Sequence, residues 1–79
     1  MLIQIQYFAQ LRGSGGPGWI EVAEGTTVEG LLNSLFQQGT SWEAWNKHLL
    51  IAAGTEWVQR DYVLKPGDTI SLMPPVQGG

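Results

Sequence analysis

A small α+β domain, with one amphipathic helix laid across a mixed sheet of four or five strands, is the fold this sequence predicts, and three observations predict it. Residues 2–8 alternate, Ile3, Ile5 and Tyr7 against Gln4 and Gln6, which is the period-two signature of a strand with one buried face. Val28, Leu31, Leu32, Leu35 and Phe36 recur at i, i+3, i+4, i+7 and i+8, a single apolar stripe on a helix. Two further strand-like runs, 49–53 and 69–73, follow the helix, so the main order reads β, β, α, β, β. A helix of about three turns has one face to bury, and a small sheet has one face to cover it.

Taken in order, residues 2–8 begin the core, a Gly-rich turn spans 13–18, and 19–22 return as the antiparallel partner of a hairpin. The turn is not a phosphate loop, because no Gly-Lys-Ser/Thr ending follows and it leads into a strand rather than a helix. Thr26 and Glu29 stand at capping-box spacing and mark the helix start; Gly39 marks its end. Gly30, in the second turn, costs roughly 1 kcal/mol against Ala, which points to close packing or to tolerance near a capped end. Thr40 and Glu43 repeat the capping spacing before a short helical turn over 42–47, whose Trp42 and Trp45 read as a patch over the open end of the core. Residues 49–53 read as a buried strand and 56–58 as a short one. Lys65, Pro66, Gly67 and Asp68 read as a turn before the last strand, which lies beside the first. Val28, Leu31, Leu35 and Phe36 are then expected to face Ile3, Ile5, Ile70 and Leu72.

Seventy-nine residues make one domain near the lower size limit for folding without disulfides or metal. The chain has no Cys, so it has no disulfide scaffold, thiolate metal site or cysteine nucleophile, and no bound cofactor or metal is expected. A net charge of −3 argues against a nucleic-acid binder, which needs clustered cations. The apolar runs are too short to span a membrane and residues 1–8 show no basic leader, so a soluble, cytoplasmic protein is expected. His48, the only histidine, reads as a surface or structural residue.

The last residues carry the chemistry. Gly78 and Gly79 follow a stiff leader of Pro74, Pro75, Val76 and Gln77 directly after a strand, which divides the chain into a folded domain, 1–73, and a flexible tail, 74–79. Glycines lack side chains and can pass through a narrow channel, whereas proline fixes φ and ends sheet pairing. At roughly 3.1 Å per residue or a little more, six residues reach about 20 Å, far enough to deliver a carboxylate into a partner's active site.

Tyr7-Phe8-Ala9-Gln10-Leu11-Arg12, Thr27-Val28-Glu29-Gly30-Leu31, Pro66-Gly67-Asp68 and the Met73-Pro74-Pro75-Val76-Gln77-Gly78-Gly79 ending together resemble the MoaD family, across essentially the whole chain. That family is the small, sulfur-carrying subunit of molybdopterin synthase and has a ubiquitin-like β-grasp fold. The resemblance implies that Gly79 is adenylated by an E1-like enzyme (MoeB-like) using ATP and converted to a thiocarboxylate with sulfur from a sulfurtransferase. The large subunit (MoaE-like), which holds the active site, then receives it and passes the sulfur to a pterin precursor. The small subunit itself is non-catalytic. Gly78 gives steric access. Phe8, Leu64 and Met73 are implied as an apolar patch at the root of the tail, with Arg12, Pro74, Pro75, Val76 and Gln77 completing the partner interface, where Arg12 reads either as a partner for an acidic surface or as a solvated side chain. Phe8 and Leu64 are equally readable as core residues, whereas Met73, next to Pro74, suits a surface where a flexible thioether packs against more than one partner. A Gly-Gly ending is shared with thiazole and tRNA sulfur carriers and with ubiquitin-like modifiers, and the prolines discriminate among them. A plain β-grasp binding module is the further alternative. Where the family often has Val-Asn after the third strand, this chain has Ala53-Gly54, and Gly meets a positive-φ turn as Asn does.

Overall fold

The computed structural model describes residues 1–11, 16–37 and 48–74. The described residues form five strands: β1 (Leu2–Tyr7), β2 (Trp19–Glu21), β3 (Leu50–Ala53), β4 (Glu56–Trp57) and β5 (Thr69–Met73). They form one mixed sheet in the order β2-β1-β5-β3-β4. β1 pairs antiparallel with β2 and parallel with β5, Ile5 opposite Ile70 and Tyr7 opposite Leu72, so the last strand occupies the centre beside the first. This is the β-grasp arrangement expected from the sequence. The helix α1 (Val28–Gln37) buries Val28, Leu31, Leu32 and Leu35. They share one core with Ile3, Ile5, Ile51, Leu64, Ile70 and Leu72, and Phe36 packs partly buried against it.

The start of α1 differs from the expected capping box. Thr26 Oγ1 donates to the Ala23 carbonyl at 2.6 Å, and it is Thr27 Oγ1 that accepts from the Gly30 N–H at 3.2 Å, which makes Thr27 the N-cap. The two preceding orphan N–H groups are met from across the chain, Val28 N–H by the Tyr62 carbonyl and Glu29 N–H by the Arg60 carbonyl, each at 2.9 Å. With the helix start closed by this loop, Glu29 turns to Arg60, whose Nε donates to its Oε1 at 2.6 Å. That hydrogen bond, more than the charge itself, holds the Glu29 carboxyl below its usual range. Gly30 is closely packed: a Cβ there would lie 3.2 Å from the Thr26 methyl, which would have to give by a few tenths of an ångström. The expected helix end at Gly39 and the expected turn over 42–47, with Trp42 and Trp45, lie outside the described residues.

Two turns follow the sequence reading. Gly54 takes φ 62° in the two-residue connection between β3 and β4, where Ala53 pairs with Glu56. In the turn before β5 the Asp68 N–H donates to the Lys65 carbonyl, and Asp68 Oδ2 accepts from the Lys65 N–H and from the Tyr62 hydroxyl. That last bond, made by the neutral phenol, raises the Tyr62 pKa.

Tyr7 ties β1 to the end of the Gly-rich segment. Its hydroxyl donates to the Pro17 carbonyl at 2.7 Å, and a Cβ on Gly16 would come within 2.5 Å of that oxygen, so Gly16 has to be glycine for the ring to lie there. Burial pushes the Tyr7 phenol up from 10.0 to about 12. The folded pKa is the higher one, so this contribution to stability is whole below pH 10 and is lost as pH rises through about 12. Tyr7→Phe is expected to cost about 1 kcal/mol at neutral pH through the lost hydrogen bond. The gap to wild type should narrow between pH 10 and 12, which urea melts across that range measure. A gap that stays constant across that window would show that Tyr7 ionisation is not linked to folding.

Candidate functional site at the root of the tail

β5 is the central strand, so the chain leaves the sheet at its middle, at Met73, and continues into a buried Pro74. Three neighbours frame that exit. On one side β1 ends at Tyr7, and the Phe8 N–H extends the parallel ladder by donating to the Leu72 carbonyl at 3.1 Å. Ala9 then takes φ 52°, a left-handed conformation that costs a non-glycine residue about 1 kcal/mol or more, and the chain folds into a 3-10 turn, Ala9–Leu11, anchored by the fully buried Leu11. On the other side Leu50, the first residue of β3, pairs with Met73.

Alternation decides which side chains meet at this end. Ile70 and Leu72 point to the helix, so Thr69, Ser71 and Met73 belong to the opposite face of the sheet, where Ser71 at the centre is itself buried. The ladder adds Leu50 and Ala52 from β3, and from β4 Trp57, which pairs with Ala52. Trp57 is 67% exposed and Leu50 37%. Met73, which pairs with Leu50, is half-buried, as is Phe8 on the β1 side of the exit. An apolar corner therefore surrounds the point where the tail begins.

Of the residues implied by sequence resemblance, Phe8, Met73 and Pro74 lie at this exit. Leu64, open to two readings, is 3% exposed and has the burial of a core residue; its N–H donates to the Thr26 carbonyl, which pins it beneath the helix start. Arg12, Pro75, Val76, Gln77, Gly78 and Gly79 lie outside the described residues. Trp57 was missed, although its signal was present: a two-residue turn at Gly54 fixes the register that places it on the open face. His48 is exposed and precedes β3 by two residues, so it stands at the tail end of the sheet despite its distance in sequence. Among the described residues, no group of three or more His, Asp or Glu side chains could hold a metal ion, and no helix is long and apolar enough to cross a membrane.

The model of the ThiS family matches residues 5–79. The chain belongs to the ThiS family. Among solved structures, this ThiS-family chain is similar to SAMP1 from Haloferax volcanii, with a TM-score of 0.78 and 21% identity over 100% of both chains. It is similar also to a putative molybdopterin converting factor subunit 1 from Pyrococcus furiosus, with a TM-score of 0.76 and 26% identity over 95% of this chain and 98% of that one. A third is subunit 1 in the protein-protein complex of subunits 1 and 2 of the molybdopterin-converting factor from Helicobacter pylori, with a TM-score of 0.69 and 24% identity over 100% of both. The fold is therefore the ubiquitin-like β-grasp of MoaD-like sulfur carriers and modifiers, as the sequence resemblance implied.

Proposed function

We propose that this chain is the sulfur carrier of dithiolene formation in molybdopterin synthesis, with residues 1–73 as the folded body and 74–79 as the arm that carries the reacting end. The Gly79 carboxylate is adenylated by an E1-like enzyme with ATP, because displacing oxide from a carboxylate is unfavourable and AMP is a good leaving group. A sulfurtransferase supplies the sulfur as a persulfide, which displaces AMP, and a thiol then cleaves the resulting acyl disulfide, is oxidised to a disulfide and leaves the thiocarboxylate. The resulting thiocarboxylate is ionised at neutral pH, unlike an ordinary thiol with a pKa near 8.5, and transfers its sulfur to a pterin precursor within a large subunit. The chain supplies no base for this step; it binds, reaches and presents.

The observation that carries the proposal is the exit of the central strand at Met73 and Pro74 beside the exposed corner of Trp57 and Leu50. A body that docks by this corner aims its arm into whatever it docks on. The likeness to a molybdopterin converting factor subunit 1, and to a subunit 1 whose structure is a complex with subunit 2, supports a large subunit as that partner. The likeness to SAMP1, a small archaeal modifier protein, supports the second reading, a protein modifier. Reconstitution separates them. Thiocarboxylated protein mixed with a large subunit and the pterin precursor is expected to yield dithiolene product. Sulfur transfer confined to a thiazole precursor or tRNA, or attachment of the chain to lysines, would keep the carrier chemistry and overturn the choice of acceptor.

A further inference from the structure

The face of the sheet opposite the helix is buried at its centre, at Ser71 and Ala52, and exposed at its margins, and it does not end at the tail corner. Trp19 of β2 pairs with Gln4, and Gln4 with Thr69, so the indole lies on that same face at the far edge, 56% exposed. Leu2, 54% exposed, shares it. Between this second apolar corner and the tail corner runs a polar row, in which the Thr69 hydroxyl donates to Gln4 Oε1 at 3.2 Å and the Ser71 hydroxyl to Gln6 Oε1 at 3.3 Å. These bonds use the amide oxygens, and the two amide N–H2 groups have no partner among the described residues. Glu21 is the one charged side chain that the ladder places on this face.

We propose that the protein partner receiving the tail covers the whole open face, and that Trp19 is a specificity-determining contact for it; this rests on the proposed carrier function. Size argues for one continuous interface. A specific complex buries about 800 Å² per partner, a patch about 30 Å across. The edge strands β4 and β2 are four strand spacings apart, about 19 Å at ~4.8 Å each. A patch of that width centred on β5 extends about 15 Å to either side and takes in both edge strands, with Trp57 on one and Trp19 on the other. Chemistry describes that partner. Glu21 is paired with the Met1 ammonium at 2.6 Å, so the ladder residues of this face present no cluster of cations for a phosphate backbone, whereas two exposed tryptophans bracketing amide donors fit a flat, neutral protein surface that carries oxygen acceptors along its midline and aliphatic groups on either side.

The test measures Kd by calorimetry for wild type, Trp19→Ala, Trp19→Phe and Trp57→Ala with the purified large subunit of the molybdopterin-converting factor, after thermal melts show that each variant folds. Trp19→Ala is expected to bind about ten-fold more weakly or worse, Trp19→Phe to recover most of the loss, and the two alanine effects to add because the sites are well separated. Trp19→Ala binding within about two-fold of wild type while Trp57→Ala is weakened would confine docking to the tail corner and overturn the inference. If wild type does not bind the large subunit, the acceptor reading fails, and the same variants are read through the KM of adenylation by an E1-like enzyme. There a rise of about ten-fold for Trp19→Ala supports the inference with a different partner, and an unchanged value overturns it. Wild type that engages neither protein, or that self-associates through Trp19, overturns it as well.

Discussion

Deleting Gly79, or appending one residue after it, is expected to abolish molybdopterin formation while leaving the melting temperature unchanged. Neither alteration touches the core, which is built from β1, β3, β5, α1 and the residues packed on them. Both displace the reacting carbonyl, and a misplacement of even 1 Å costs about 10²-fold when the reaction depends on a group held in a partner's site. Deletion also moves the carboxylate back to Gly78, which shortens the arm by roughly 3 Å. A purified deletion variant that supports full synthesis with wild-type large subunit would rule out the proposed role of Gly79.

The second large effect is on stability. Ile70→Ala should cost 2–5 kcal/mol, the range for truncating a buried aliphatic side chain to alanine. Ile70 is fully buried on the central strand, hydrogen-bonded into ladders on both sides and packed in the same core as the helix residues. A domain of this length has about 4–12 kcal/mol in all, so the variant should lose a large share of it or unfold. The same truncation at Val63, which is half exposed, should stay within about 0.5 kcal/mol. Denaturant melts of the pair provide the comparison, and equal losses would mean that the sheet centre does not carry the fold.

Much of this architecture is written in local pattern. The alternation of residues 2–8, the stripe from Val28 to Phe36 and the Lys-Pro-Gly-Asp turn each specify one conformation, and the structure has all three. What was not legible depends on residues distant in sequence. Thr26 and Thr27 are adjacent and chemically alike, and only the carbonyls of Arg60 and Tyr62, more than thirty positions on, decide that Thr27 caps the helix. Those same carbonyls release Glu29 to pair with Arg60. Leu64 lies in an irregular segment with no period to assign it a face, so its burial follows from packing beneath α1. The candidate site was legible in its chemistry and less so in its surface. The Gly-Gly ending and the two prolines name the arm, whereas Trp57 and Trp19 gain their meaning from strand register, which sets both on one face with Met73.

The prediction for Gly79 comes down to one atom, and intact mass reads that atom directly. Wild type and the Gly79 deletion are incubated side by side with an E1-like enzyme, ATP and a sulfur donor. Wild type is expected to gain the mass difference of one oxygen replaced by sulfur, located at the C-terminal carboxylate by fragmentation, and the deletion variant to gain nothing. An unchanged wild-type mass under conditions in which a known carrier is loaded, or sulfur found elsewhere on the chain, would contradict the account.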